Sequence, residues 1–182
     1  DATITLNNLF SNNDNFNYGL YGKINNFNLV NNNDYPITLE NFNGDIELKD
    51  NLLVAKGKAF LNKSESNIDI KLNQNYQLFV NVDSVASFSS FDFLEEYNFL
   101  KSGTSKLNIK IEKNYLFDDE WEAFLQANLY NNSVKIDQVV YEKEEKKQGW
   151  FEATYKFKNL SLENVENLTF LTEDILIRGD VF

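Results

Sequence analysis

The sequence predicts a mainly β protein, a curled antiparallel β-meander with one short helix at about residues 88–100. Apolar residues alternate with polar residues along most of the chain, as in strands that bury one face and expose the other. Short polar connections, such as Asn73 to Asn75 and Asn131 to Asn132, separate the alternating stretches, as in consecutive hairpins. A single stretch has a helical period instead.

The alternating stretches predict strands from the N-terminal end to the C-terminal end. Their apolar members are Ile4 and Leu6; Ile37 and Leu39; Ile46 and Leu48; Ile68, Ile70 and Leu72; Leu78, Val80 and Val82; Leu107, Ile109 and Ile111; Val134 and Ile136; Ala153, Tyr155 and Phe157; Ile175 and Ile177. Polar residues lie between them, so each strand has an apolar and a polar side. The pattern is the same whether the apolar side packs against a second sheet or lines an open groove or trough.

The stretch with the helical period runs from Ser87 to Leu100. Its apolar residues recur every three positions, at Phe88, Phe91, Leu94, Tyr97 and Leu100. Ser89 or Ser90 is placed to cap the first turn, and Gly103 follows as a stop signal. We therefore expect one helix of about three turns.

The length of 182 residues is typical of one domain, and 42% hydrophobic residues are enough for a sizeable core. The chain begins at Asp1 without an initiator Met, so either a signal or anchor segment has been removed or the chain is a piece of a longer protein. We expect residues 1–182 to be a single β-rich segment of a longer protein. The stretches 37–60 and 160–182 resemble each other, since both run from a Leu-Glu-Asn strand end through a turn into a strand with a base followed by Gly. They are predicted repeat units of a longer array, with chance similarity between two amphipathic hairpins as the alternative.

The composition excludes several classes of chemistry. The chain has no His and no Cys, which excludes Ser-His-Asp and Cys-His triads, zinc sites of the usual type and disulfides. Its formal net charge is −11 and Arg178 is its single Arg, so nucleic acid and anionic lipid headgroups are unfavourable partners. No apolar run approaches the length that crosses a bilayer. We expect no enzymatic activity and no cofactor.

Two charged stretches are candidate sites by composition. The first contains Asp118, Asp119, Glu120 and Glu122. No turn-making Gly follows it and Trp121 interrupts it, so an acidic turn is predicted instead of a calcium loop or a pair of glycosidase carboxylates. The second, from Glu142 to Lys147, has mixed sign and is predicted to be an exposed hairpin tip.

The second half of the chain has a recognisable order of parts. The predicted helix leads to the strand Lys101-Ser102-Gly103-Thr104-Ser105-Lys106-Leu107-Asn108-Ile109-Lys110-Ile111. A long hairpin, Glu122 to Tyr141, ends near the basic turn Lys146-Lys147-Gln148-Gly149. A strand pair closes on Leu160-Ser161-Leu162-Glu163-Asn164 and on Ile175 to Phe182. Over about residues 37 to 182 this order resembles the AsmA-like proteins of the YhdP type, although the Pro of their basic turn is missing.

The resemblance implies a fold, a location and a function. Members of this family look like long, curled antiparallel sheets that one N-terminal helix anchors in the inner membrane of Gram-negative bacteria. They extend through the periplasm as a trough with an apolar inner face, and they are implicated in moving phospholipid between the inner and outer membranes. The chain would then be a periplasmic segment, and other parts of the parent protein would contact the membranes.

The resemblance also implies which residues contact lipid. The expected lipid-binding residues are Ile68, Ile70, Leu72, Leu78, Val80, Val82, Leu107, Ile109 and Ile111. They would form an apolar floor for phospholipid acyl chains, at about 25 cal/mol per Å² of area removed from water. Catalytic residues and metal ligands are not expected. The alternative is a structural or adhesive β-sandwich module with a closed core.

Overall fold

A computed structural model describes residues 3–11, 18–29, 39–87, 100–114, 120–137, 140–158 and 161–181. These residues form fourteen β-strands. The strands are β1 (Thr3–Ser11), β2 (Tyr18–Leu29), β3 (Leu39–Lys49), β4 (Leu52–Leu61), β5 (Ser64–Leu72), β6 (Gln77–Ala86), β7 (Leu100–Gly103), β8 (Ser105–Asn114), β9 (Glu120–Asn128), β10 (Asn132–Ile136), β11 (Tyr141–Lys143), β12 (Gly149–Lys158), β13 (Ser161–Thr172) and β14 (Leu176–Val181).

Eleven strands form one open antiparallel sheet in the order β1-β2-β3-β4-β5-β6-β8-β9-β12-β13-β14. Each strand lies beside the strands that are closest to it in sequence, apart from the excursions that contain β7, β10 and β11. The predicted antiparallel meander is therefore confirmed. Among the described strands, β1 and β14 are the two edges of this open sheet.

The helix predicted at residues 88–100 falls mostly on 88–99, which lie outside the described residues. Leu100, its expected last residue, begins β7. The two predicted repeat units correspond to hairpins of the same sheet, because β3 pairs with β4 and β13 pairs with β14. Whether these hairpins are true repeats stays a prediction.

A second, smaller sheet has the strand order β11-β10-β7. The expected hairpin from Glu122 to Tyr141 is therefore wrong, because β9 pairs with β8 and β12 while β10 pairs with β7 and β11. The chain leaves the large sheet after Asn128, and both Leu129 and Val134 become completely buried. Burial of these apolar side chains favours the excursion over a simple hairpin.

The small sheet packs against the C-terminal part of the large sheet. The Tyr141 hydroxyl donates a hydrogen bond to Thr172 Oγ1 at 2.6 Å, and the Tyr141 ring lies edge-on to Phe170 with 6.2 Å between centroids. The Ser105 hydroxyl donates to Asn132 Oδ1 at 2.8 Å, and both residues are buried. These contacts cover one end of the large sheet.

The strand register defines one apolar face on the large sheet, because directly paired residues of antiparallel strands point to the same side. One row across the sheet contains Ile46, Ala55, Ile70, Val80, Ile111, Ala123 and Tyr155. The next row contains Gly57, Ile68, Val82, Ile109, Leu125 and Ala153. We call this side the apolar face and the opposite side the polar face.

Asparagine side chains stabilise two bulges near the N-terminal end of the sheet. Asn26 and Asn41 both have a φ of 54°, a left-handed conformation that Asn adopts more readily than most residues. The Asn26 backbone N–H donates to Asn43 Oδ1 at 3.1 Å, and the Asn41 N–H donates to Asn28 Oδ1 at 2.6 Å. The register shifts at both positions, so these bulges bend the strands without leaving their amides unpaired.

Candidate functional site: the apolar face

All nine expected lipid-binding residues lie on the apolar face. They belong to β5, β6 and β8, which are neighbours in the large sheet. Ile68 pairs with Val82, and Val82 pairs with Ile109. Ile70, Val80 and Ile111 form the next row, and Leu72 pairs with Leu78. Leu107 pairs with Ser84 one row further along. The pleat and the antiparallel pairing thus bring the nine side chains into one contiguous patch.

Burial divides this patch into two parts. Ile68, Val82, Leu107 and Ile109 are 2% to 5% exposed, which makes them part of the core. The other five, Ile70, Leu72, Leu78, Val80 and Ile111, are only half-buried. One end of these strands is therefore a packed core, whereas side chains at the other end are partly accessible to a ligand.

The accessible end continues as a row across the sheet, which we call the margin row. It contains Leu48, Leu53, Leu72, Leu78, Lys113, Trp121 and Phe157. Trp121 and Phe157 stack with ring centroids 4.0 Å apart and an interplanar angle of 5°. A cleft of about 300 Å³ opens beside Leu78, Lys113 and this aromatic pair. The margin row thus combines an apolar floor with a Lys ammonium.

The hydroxyl groups on the buried part of the apolar face bond to protein partners. Ser66 and Ser84 face each other on β5 and β6, and the Ser66 hydroxyl donates to Ser84 Oγ at 2.9 Å. Ser66 is 2% exposed and Ser84 is 6% exposed. Because these hydroxyls bond to each other, they add little polarity to the surface above them.

The polar face carries ion pairs between neighbouring strands. Lys56 Nζ lies 3.0 Å from Asp69 Oδ2, and Lys156 Nζ lies 2.9 Å from Glu166 Oε2. The hydrogen bond to Glu166 raises the pKa of Lys156 above its ordinary value, and the nearby charges of Glu166 and Glu122 add to this effect. Such exposed pairs contribute little to stability, but they keep this side of the sheet in water.

Lys143 is predicted to be exposed, and this prediction is wrong. The run from Glu142 to Lys147 is exposed as expected except at Lys143, which is 1% exposed. Its ammonium donates hydrogen bonds to three backbone carbonyl oxygens, at 2.8 Å to Leu129, 2.7 Å to Asn132 and 3.0 Å to Glu144. The side chain therefore joins the turn after β9 to the start of β10 and the end of β11.

Gly149 makes room for the buried Lys143 stem. A Cβ atom at Gly149 would lie 2.7 Å from Lys143 Cε and 3.1 Å from Leu129 Cβ. Burial lowers the pKa of the Lys143 ammonium, the charge of Glu145 opposes this effect, and the charge of Lys147 adds to it. Lys143 is one of the contacts that join the two sheets, and it is not one of the nine expected lipid-binding residues.

The lowered pKa of Lys143 predicts a stability that rises with pH in the alkaline range. In the unfolded chain the ammonium titrates near its ordinary pKa of 10.5, and in the folded chain it titrates at lower pH. Between these two values the unfolded state binds a proton that the folded state does not, so the free energy of unfolding increases with pH. Urea unfolding from about pH 7 to about pH 11 should show this increase for the native chain relative to Lys143→Met. A constant or shrinking difference would contradict the prediction.

Within the described ranges, no group of three or more acidic side chains lies together as a site for a metal ion. In the same part of the chain, no helix is long and apolar enough to cross a membrane. No protein family model matches the chain, and no curated protein or solved structure is significantly similar to it.

Proposed function

We propose that the chain is a non-enzymatic segment of a bacterial envelope protein, and that its apolar face carries phospholipid acyl chains between the inner and outer membranes. The observation that carries the proposal is the apolar face itself. The row that contains Val80 and the row that contains Val82 cross neighbouring strands without a charged residue. Its half-buried end, including Leu72, Leu78 and Val80, leaves apolar surface that an acyl chain would remove from water.

The driving force is the transfer of acyl chains out of water. At about 25 cal/mol per Å² of buried apolar area, contact with several Leu, Ile and Val side chains is enough to hold an acyl chain without any directed polar bond. The polar face stays solvated, and phospholipid headgroups stay off the apolar face. The net charge of −11 does not oppose this arrangement, because the acyl chains contact the apolar face and the charged headgroups do not.

The resemblance to AsmA-like proteins supports the choice of ligand and of compartment. An open antiparallel sheet with one apolar face is the architecture that the resemblance implies. On this proposal the segment lies in the periplasm, and membrane contacts are made by parts of the parent protein outside residues 1–182.

The proposal predicts that Val80→Asp separates lipid binding from folding. Val80 is half-buried on the apolar face, so a carboxylate there should repel acyl chains while the sheet remains folded. We expect lipid extraction and mass spectrometry to find phospholipid on the native chain, and at least about fivefold less on the variant.

Val85→Asp is the matched control, because Val85 lies on the same strand, β6, on the polar face and is 56% exposed. It should retain its lipid. Absence of lipid from the native chain, or equal loss from both variants, would contradict the proposal.

A closed-core structural or adhesive module is the second candidate. The observation that favours it is the complete burial around Ile68, Val82, Leu107 and Ile109, together with the small sheet that packs over this end. It predicts a chain without lipid and a Val80→Asp variant that unfolds, so the same experiment separates the two functions.

A further inference from the structure

Phe79 is an apolar side chain in a polar setting. It lies in β6 on the polar face, and 37% of its surface is exposed. Its directly paired neighbours are Lys71 on β5 and Glu112 on β8, and both are exposed. All three strands are interior strands of the large sheet, so this part of the polar face involves neither edge. An exposed aromatic ring flanked by charged side chains is a candidate platform for a ligand.

A cleft of about 150 Å³ opens at Phe79. Its charged and amide lining residues are Asp69, Lys71, Asn81, Lys110 and Glu112. The Lys110 ammonium lies 5.9 Å from the centre of the Phe124 ring on β9, so it leans away from β6 and from Phe79. Two acidic and two basic residues line the cleft, so its formal charge is zero. A neutral ligand rich in hydroxyl groups therefore fits it better than an ion.

Charged groups around the ring have hydrogen-bonding capacity that the protein does not use. In the part of the chain that the structure describes, Lys71 and Glu112 form no ion pair. Asp69 Oδ2 lies 3.0 Å from Lys56 Nζ, whereas Asp69 Oδ1 is buried without a hydrogen-bond partner. A buried carboxylate oxygen without a donor is costly, and a ligand hydroxyl in the cleft would supply the donor.

We propose that this cleft binds a pyranose sugar, a glucose-configured unit of a β-linked glycan. The substituents of such a ring are equatorial, so its faces carry C–H groups and its rim carries hydroxyl groups. One face stacks on Phe79, which removes apolar surface of both from water. Rim hydroxyls donate to Glu112 and to Asp69 Oδ1, and they accept from the Lys71 ammonium.

The spacing of the sheet fits one sugar ring. Directly paired residues have their Cβ atoms about 4.5–5.5 Å apart, so Lys71 and Glu112 reach opposite edges of a ring that lies on Phe79. Asp69 lies two residues before Lys71 on β5, about 7 Å along the strand. The polar groups therefore surround the stacked ring, where the rim hydroxyls are. The site lies on the polar face, so it does not depend on lipid binding by the apolar face.

Phe60 provides the comparison on the same face. It lies in β4 and is 42% exposed, but both of its directly paired neighbours are acidic, Glu40 and Glu65. Glu65 Oε1 already lies 3.6 Å from Lys58 Nζ. Phe60 thus lacks a flanking donor, and Phe60→Leu and Glu65→Ala are matched controls for substitutions at Phe79 and Glu112.

Nuclear magnetic resonance titration of the isotope-labelled chain tests the proposal. The probes are cellotetraose and chitotetraose, each added up to about 20 mM, and we expect a Kd of about 0.1–10 mM with amide shifts centred on β5, β6 and β8. Phe79→Leu keeps an apolar side chain without a ring and should weaken binding at least about fivefold, whereas Phe79→Tyr should bind like the native chain. Phe60→Leu should also bind like the native chain.

The flanking acceptor is tested in the same way. Glu112→Ala removes the carboxylate beside the ring and should weaken binding at least about threefold. Glu65→Ala makes the same charge change beside Phe60 and should leave binding unchanged. Circular dichroism should show the native fold in every variant, because all of these side chains are exposed.

The outcomes separate this site from the lipid proposal. Lack of binding by both sugars, or a Phe79→Leu variant that binds as tightly as the native chain, would overturn the sugar site. So would amide shifts centred on Phe60 or on the apolar face. Binding of one probe alone supports the site and shows whether a hydroxyl or an acetamido group is accepted at the second ring carbon. A native chain that binds sugar but carries no lipid would overturn the proposed function alone.

Discussion

The Ile109→Asp variant is expected to be unfolded under native conditions. Ile109 is 5% exposed, and it lies on the apolar face between Val82 of β6 and Leu125 of β9. Both neighbours are themselves buried, so an Asp carboxylate at this position has no polar partner among them. An unpaired buried charge costs several kcal/mol, which is comparable with the whole stability of about 5–15 kcal/mol for a typical domain.

Far-ultraviolet circular dichroism and urea unfolding measure this effect. Lys110→Asp is the matched control, because Lys110 is the next residue of β8 and is exposed on the polar face. It should change the free energy of unfolding by less than about 1 kcal/mol. A folded Ile109→Asp variant with reduced lipid content would show that lipid reaches the buried end of the patch, and the core assignment of Ile109 would then be wrong.

Lys143→Met is expected to lower the free energy of unfolding by about 2–4 kcal/mol. The variant removes the donor from the carbonyl oxygens of Leu129, Asn132 and Glu144, which all lie at the junction of the two sheets. Leu129 retains one donor, the Asn132 N–H at 3.1 Å, so its carbonyl oxygen stays hydrogen-bonded in the variant. Methionine fills a similar volume beside Gly149, and it avoids the cost of burying a charge, which partly offsets the lost hydrogen bonds.

Lys147→Met is the control for this variant. Lys147 belongs to the same connection between β11 and β12 but is exposed, and its Nζ lies 3.8 Å from Glu144 Oε2. Loss of such an exposed pair should cost less than about 1 kcal/mol. Urea unfolding compares the two variants with the native chain. If both variants lose equally little stability, the hydrogen bonds from Lys143 to the three carbonyl oxygens do not hold the two sheets together.

The burial gradient decides how the two candidate functions can be told apart. At the buried end, a substitution such as Ile109→Asp damages the core under either function. At the half-buried end, Val80→Asp affects lipid binding under one function and folding under the other. The half-buried residues are therefore the informative ones, and the experiments on lipid binding belong on Ile70, Leu72, Leu78, Val80 and Ile111.

The wrong predictions have a common physical cause. Lys143 looks like its exposed neighbours because the carbonyl groups that hold it come from Leu129 and Asn132, more than ten residues earlier in the chain. The expected hairpin from Glu122 to Tyr141 has a suitable turn at Asn131 and Asn132, but β10 pairs with β7 and β11 instead, and its Val134 is completely buried. Neither effect can be predicted from the spacing of apolar and polar residues along the chain.

Two exposed aromatic residues on the polar face also differ from what local sequence patterns predict. Phe60 is 42% exposed and Phe79 is 37% exposed, although aromatic residues in an alternating sheet are expected to fill the core. Phe60 pairs with Glu65, and Phe79 pairs with Lys71 and Glu112, so both lie among charged residues of the polar face. Alternation assigns a residue to a side of a strand, but the number of aromatic residues does not say how many reach the core.

The sequence by itself determined that the chain is an antiparallel meander and which side chains share its apolar face. Both follow from the two-residue period of a strand, which is a local property that alternation records directly. Tertiary structure alone decided which part of that face is buried, where β10 leaves the sheet, and that Lys143 is enclosed. These features depend on contacts between residues far apart in sequence, and their energies come from burial and hydrogen bonding that local spacing does not specify.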